Sequence, residues 1–240
     1  MNLYLVPATP GPARLAGRPA AYFRHDIITG MTPPDARAQG WRVVIPAQGA
    51  PNGKSRLHHP QRAALSRALA RDTLEMAALA VGADRLLVVT GDDDIRGYAE
   101  GVGARVLTDP GGGLNAAIRA GVVALGPGPV AALLGDIPSA RAEDLATALA
   151  ACAAVGHGVV PDHTGVGSVL LAAYDGALTP DFGPASAQHH LAAGYRPVGQ
   201  ELARLRRDVD VHDDLASVLA FGCGRHTAEV LAGWAPIGSD

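Results

Sequence analysis

From Trp41 onward, short apolar runs alternate with segments whose apolar residues recur at helical spacing. WRVVIPA (41–47) precedes QRAALSRALARDTLEMAALA (61–80), and DRLLVVT (84–90) precedes DDDIRGYAEGVG, a short helix closed by Gly103. ARVLTD (104–109) leads through PGGG into a helix over 114–125, and PVAALLGDI (129–137) into a helix over 141–154. Runs this short and this apolar predict strands buried on both faces. Further strands are expected near 157–161, 168–173 and 208–211, with a last helical region after 212. This order predicts a single three-layer α/β domain, Rossmann-like, with a mostly parallel central sheet covered on both faces. Ligands bind such sheets outside the carboxyl ends of the strands, so the loops that follow strands should carry the chemistry.

The bulk properties narrow the function. The chain has 240 residues, enough for one sizeable core, and a net charge of −3, which argues against a nucleic-acid protein working through a basic face. No apolar run is long enough to span a bilayer. Cys152 and Cys223 are far apart with no metal spacing and read as buried thiols of a protein in the reducing cytoplasm. Residues 1–40 are rich in Pro and Gly and read as a loosely ordered extension, 41–232 as the domain and 233–240 as a tail.

The loop after the first strand, GAPNGKSRL, holds Lys54, the chain's single lysine, with Arg56 beside it. It is not a P-loop: Gly49 and Gly53 are one residue too close, and where a helix should begin at the lysine SRLHHPQ intervenes, with Pro60 disfavouring helix at His59. A glycine-rich turn with two projecting cations still suits a polyphosphate. Asp136, at the carboxyl end of a very apolar strand, is expected to ligate Mg²⁺, with a cap or turn role as the alternative. In RRDVDVHDDL, Asp213 and Asp214 open a helix and are assigned a structural role, while the sequence leaves open whether Asp208, Asp210 or both reach the metal. DHTGVGSVLL and DFGPAS can each present backbone N–H groups and a hydroxyl, at Ser168 and Ser186, to an anion. Asn115, after three glycines, can both donate and accept toward a base or ribose. His58, His59, His189 and His190 read as structural or surface residues, and no histidine-paired nucleophile is apparent.

Taken in order, VVIPAQGAPNGKSRL, LLVVTGDDD, GGGLNAAIRAG, VAALLGDIPSA, VVPDHTGVGSVLL, FGPASAQHH and LRRDVDVHDDL resemble one family. It is that of the 2-phospho-L-lactate and phosphoenolpyruvate guanylyltransferases of deazaflavin coenzyme F-420 biosynthesis. The likeness runs over about residues 42–222. It implies a MobA-like nucleotidyltransferase fold and a Mg²⁺-dependent transfer of GMP from GTP to the phosphate of phosphoenolpyruvate or 2-phospho-L-lactate, the product passing to a deazaflavin transferase. By the same resemblance Lys54, Arg56 and Asp136 are catalytic, and Pro46, Ala47, Lys54, Thr90, Gly113 and Asn115 face the nucleotide. Ser168, Gly183 and Ser186 bind the acceptor, and Asp136 binds metal with Asp208 or Asp210. The chain departs from the family pattern at Gln48, where a lysine is usual, and at Val166, where a threonine is usual. Another MobA-like or cytidylyl-type nucleotidyltransferase, or a metal-dependent sugar-nucleotide glycosyltransferase, is the alternative.

Overall fold

A computed structural model describes residues 40–47, 60–210 and 212–233. Its strands are β1 (Arg42–Pro46), β2 (Leu86–Thr90), β3 (Arg105–Thr108), β4 (Val130–Leu133), β5 (His157–Pro161), β6 (Ser168–Ala173) and β7 (Arg196–Pro197). Its helices are α1 (Arg62–Val81), α2 (Asp93–Gly101), α3 (Leu114–Leu125), α4 (Ala142–Val155), α5 (Ser186–Ala192), α6 (His212–Phe221) and α7 (Arg225–Ala232). The strands form one sheet in the order β3-β2-β1-β4-β6-β5-β7. Neighbours are parallel except around β6, which runs antiparallel to both β4 and β5. The expected mostly parallel α/β sheet is therefore present, and all of the described residues belong to one compact unit, Pro34–Asp240.

The two-residue period of the strands sorts the core into two layers. Val43, Ile45, Leu86, Val88, Ala131 and Leu133 point to one face, where α1, α2 and α4 cover them. Val44, Leu87, Val89, Val130 and Ala132 point to the other, against α3, Phe182 and Tyr195. α3 lies so close that a Cβ on its Gly121 would come within 2.5 Å of Val44. A third cluster joins Leu65 and Leu69 of α1 to Val209, Leu215 and Val218, packing the C-terminal helices on the outer side of α1.

Helix ends follow the local sequence. Asp92 caps α2, its carboxylate accepting from the N–H groups of Asp94 and Ile95 at 3.0 and 3.1 Å. Gly103, at φ 90°, ends the same helix while Ala104 N–H returns to the Ala99 carbonyl.

Two expectations are corrected. Residues 208–210 form no strand: Val209 N–H donates to the Asp136 carbonyl at 3.2 Å, and no ladder continues from that bond. The seventh strand is instead the short pair Arg196–Pro197 beside β5. Cys152 is buried, and burial pushes its thiol up to about 12, but Cys223 is only half-buried.

Candidate active site at the carboxyl edge of the sheet

The ends of β1, β4 and β5 and the start of β6 surround a cleft of about 650 Å³. Because β6 is antiparallel, its first residue lies at the same edge as the last residues of its neighbours. Among the residues singled out from sequence, Pro46, Ala47, Asp136, Ser168, Gly183, Ser186, Asp208 and Asp210 line this cleft together. Lys54 and Arg56 lie outside the described residues, as do His58 and His59.

The acidic wall is built by the turn after β4. Ile137 N–H donates to Thr73 Oγ1 of α1 at 3.1 Å, and that hydroxyl donates to the Leu69 carbonyl at 2.9 Å. Gly135 lets this turn pass β1: a Cβ there would sit 2.9 Å from the Pro46 carbonyl oxygen. The Asp136 carbonyl holds Val209 N–H, and the Val209 side chain is buried against α1, so Asp208 and Asp210 flank it at the cleft. Asp214 reaches back from α6 to accept from Asp210 N–H at 2.7 Å, in keeping with the structural role assigned to it. The side chain of Asp213 lies outside the described residues.

The opposite wall is the 162–168 and 181–186 loops. Here the backbone N–H groups of Gly165, Val166, Gly167, Ser186 and Ala187 are already engaged. Asp162 accepts from Val166 and Gly167 N–H at 3.1 and 3.0 Å and from the Thr164 hydroxyl, and its carbonyl takes Gly165 N–H. Ser186 N–H donates to the Gly183 carbonyl and Ala187 N–H to that of Val166. Ala185 adopts φ 58°, the left-handed region that a non-glycine residue enters at a cost. The hydroxyls of Ser168 and Ser186 are the side-chain donors this wall can offer an anion.

Three residues expected to face the nucleotide do not line the cleft. Thr90 is fully buried at the end of β2 and accepts from Asp92 N–H at 3.0 Å. Gly113, at φ 87°, starts α3, and its carbonyl accepts from Ala117 N–H. Asn115 clamps Phe182, donating to its carbonyl and accepting from its N–H, both at 2.8 Å. It thereby ties α3 to the loop that carries Gly183 and Ser186.

Sequence reading missed two residues. One is Asp162, which folds the 162–167 loop; its spacing in D-x-T-G-x-G was the available signal. The other is His190, which is fully buried and pairs through Nδ1 with Ser168 Oγ at 3.0 Å. A histidine-paired serine is therefore present, hidden by a separation of 22 residues. Burial holds His190 down to about 4, so the ring is neutral at physiological pH.

For a divalent ion, the cleft offers the carboxylates of Asp136, Asp208 and Asp210, hard oxygen donors of the type Mg²⁺ takes alongside substrate phosphates. Among the described residues, the group of three ligand atoms within 4.8 Å of one another is a different one, Asp72, Glu75 and His226. Its atoms are committed to joining α1, α2 and α7. Asp72 accepts from His226 and Thr227 N–H at 3.1 and 2.8 Å, capping α7 from across the interface. Glu75 accepts from the Tyr98 hydroxyl and from Arg225 at 2.7 Å. Burial outweighs those bonds at Asp72 and raises its carboxyl; at Glu75 burial is overcome by Tyr98 and Arg225, and the carboxyl is lowered. A Cβ at Gly224 would come within 2.2 Å of Asp72, so the packing is tight. The three side chains at the cleft are all hard oxygen donors, the type Mg²⁺ takes, whereas this anchor includes an imidazole nitrogen.

The MobA-like NTP transferase domain profile matches residues 61–219. A phosphoenolpyruvate guanylyltransferase from Streptosporangium roseum is 40% identical over 203 residues, covering 81% of this chain and 91% of its own. One of the same name from Geodermatophilus obscurus is 41% identical over 205 residues, covering 81% and 95%. Among solved structures, a nucleotidyl transferase from Methanothermobacter thermautotroptrophicus matches with TM-score 0.56 at 20% identity, over 76% of this chain and 97% of that one. A cytidylyltransferase from Leptospira borgpetersenii matches with TM-score 0.51 at 14% identity, over 81% and 94%. These structures share the fold; the sequence kinship goes further. The chain belongs to the MobA-like NTP transferase family and, within it, to the phosphoenolpyruvate guanylyltransferases, and it is an enzyme of the nucleotidyltransferase class.

Proposed function

We propose that the domain at 41–232 transfers GMP from GTP to the phosphate of phosphoenolpyruvate, or of 2-phospho-L-lactate, releasing pyrophosphate. In this reading residues 1–40 are an extension and 233–240 a tail, and the enzyme serves coenzyme F-420 biosynthesis in the cytoplasm. No helix among the described residues is long and apolar enough to cross a membrane. The observation that carries the reading is one cleft holding both a carboxylate wall and a hydroxyl wall, in a chain of this kinship.

In the reaction, an oxygen of the acceptor's phosphate forms a bond to the α-phosphorus of GTP, and the bond to the bridging oxygen breaks as pyrophosphate leaves. A phosphate monoester is ionised near neutral pH, so no side chain need remove a proton to make the nucleophile. The chain's task is to hold two polyanions together. Pro46 and Ala47 border the nucleotide side, and Lys54 and Arg56 neutralise the triphosphate. Ser168, Gly183 and Ser186 receive the acceptor. Asp136, with Asp208 or Asp210, would hold Mg²⁺, which supplies charge neutralisation on the phosphates when bound. A downstream deazaflavin transferase would consume the product.

The test is incubation with GTP, Mg²⁺ and each acid separately, with mass detection of the guanylylated product and of pyrophosphate. Product from phosphoenolpyruvate or phospholactate supports the reading. Pyrophosphate release only with another nucleotide or another acceptor would overturn it.

A further inference from the structure

The polar pair at the base of the acceptor wall has a direction. Asp181 N–H points at His190 Nε2, at 3.1 Å. A backbone N–H can only donate, so Nε2 carries the lone pair. A neutral imidazole has one proton, which then sits on Nδ1 and is donated to Ser168 Oγ at 3.0 Å. The Ser168 oxygen is the acceptor in that bond. Its own hydrogen is left for another oxygen, and no acceptor among the described residues takes it. Ser168 is only 3% exposed, yet it lines the cleft.

We propose that His190 is a positioning residue that fixes the Ser168 hydroxyl as a donor into the cleft, toward an anionic oxygen of the acceptor. The inference rests on the acceptor-binding reading of Ser168 given above. It also bears on chemistry the serine does not do. For His190 to activate Ser168 as a nucleophile, Nδ1 would have to be bare, and the Asp181 N–H forbids that tautomer. The pair is therefore a binding device. Ser168 recognises negative charge, and covalent catalysis through it is disfavoured.

The surroundings keep the ring in this state. Phe182 and Tyr195 meet it edge-on at 5.0 and 5.9 Å between ring centroids. The nearby charged groups are the carboxylate of Asp181 and the ring of His189, which pair with each other at 3.1 Å. Protonating His190 would set a donor against the Asp181 N–H. The backbone geometry thus fixes a neutral, Nδ1-protonated side chain.

Two measurements test this. The first is nitrogen NMR of the protein labelled at its nine histidines, with His190 recognised as the signal missing from His190→Asn. The expected state at pH 7 is a neutral ring with Nδ1 protonated and Nε2 bare. A proton on Nε2, or a charged ring, overturns the proposal. The second is steady-state kinetics. Ser168→Ala and His190→Phe should each raise KM for the acid by roughly 10- to 100-fold, the worth of one hydrogen bond to a charged group, and leave KM for GTP unchanged. The double variant should be no worse than Ser168→Ala alone, because both remove one interaction. His190→Asn, whose amide N–H can stand in for Nδ1–H, should recover most of the loss. Additive effects, or an equal rise in KM for GTP, would show a merely structural histidine. The NMR arm needs no turnover. An Nδ1-protonated His190 in a chain that guanylylates neither acid faults the acceptor assignment, whereas an Nε2-protonated one faults the proposal whatever the enzyme does.

Discussion

Replacing Asn115 with alanine separates a nucleotide contact from a structural clamp. The side chain makes two hydrogen bonds of 2.8 Å to the backbone of Phe182, 67 residues away. Alanine leaves the Phe182 N–H and carbonyl without those partners beside a largely buried ring. At about 1–1.5 kcal/mol per bond, the loss is roughly 2–3 kcal/mol. For a domain of this size that corresponds to a fall in Tm of about 4–12 °C. Because Phe182 precedes Gly183 and Ser186, the loosened loop should raise KM for the acceptor more than KM for GTP. Asn115→Asp should be no better: it can still accept from Phe182 N–H but sets an oxygen against the Phe182 carbonyl. The assay is urea or thermal unfolding followed by circular dichroism, with KM measured for both substrates. A Tm within about 1 °C of wild type, together with a raised KM for GTP, would refute the clamp and put Asn115 back against the nucleotide.

Asp136→Asn should lower Mg²⁺-dependent turnover by about 100-fold or more, and unchanged turnover would move the metal elsewhere. Lys54→Ala should cost roughly 100-fold in kcat/KM if it neutralises the triphosphate in the transition state; a near-wild-type rate would remove that role. Asp72→Ala should destabilise the fold by about 1–2 kcal/mol through the lost cap on α7, and a chelator should leave the unfolding of Asp136→Asn unchanged; a chelator-induced fall in Tm that persists in Asp136→Asn would instead mark Asp72, Glu75 and His226 as a metal site. His190 titrates at about 4 in the fold against 6.5 when free, so the unfolded chain binds the proton first as pH falls. Its effect is negligible above about pH 7.5 and grows until pH 4, and at pH 5 the wild type should have lost about 2 kcal/mol more than His190→Asn relative to pH 7.5. Equal pH dependence of the two proteins in denaturant titrations would contradict the buried neutral ring.

The alternation of apolar runs with helical periodicity was legible in the sequence because it is set by local rules. A strand buried on both faces must be apolar throughout, and a helix must repeat near every third or fourth residue. Asp92 before α2 and Gly103 after it are likewise local, since a cap is made within one turn. The placement of Asp136 after β4 also followed from chain order alone. The segment at 208–211 misled for the same reason: Asp-Val-Asp-Val has the period of a strand, but a strand needs a ladder, and the single bond to Asp136 does not make one.

What the tertiary structure decided is every relation between distant positions. No local signal turns β6 antiparallel between β4 and β5, yet that reversal brings Ser168 to the same edge as Asp136. Nor does one place His190 under Ser168 with a backbone N–H to fix its tautomer, or spend the Asn115 amide on Phe182. Gly135 reads as an ordinary loop glycine until β1 is seen 2.9 Å from where its Cβ would be. Periodicity and capping act over a few residues, so the sequence by itself determines which elements form. Hydrogen-bond partners and close approaches are settled only when those elements pack, so the direction of a serine hydroxyl belongs to the folded molecule.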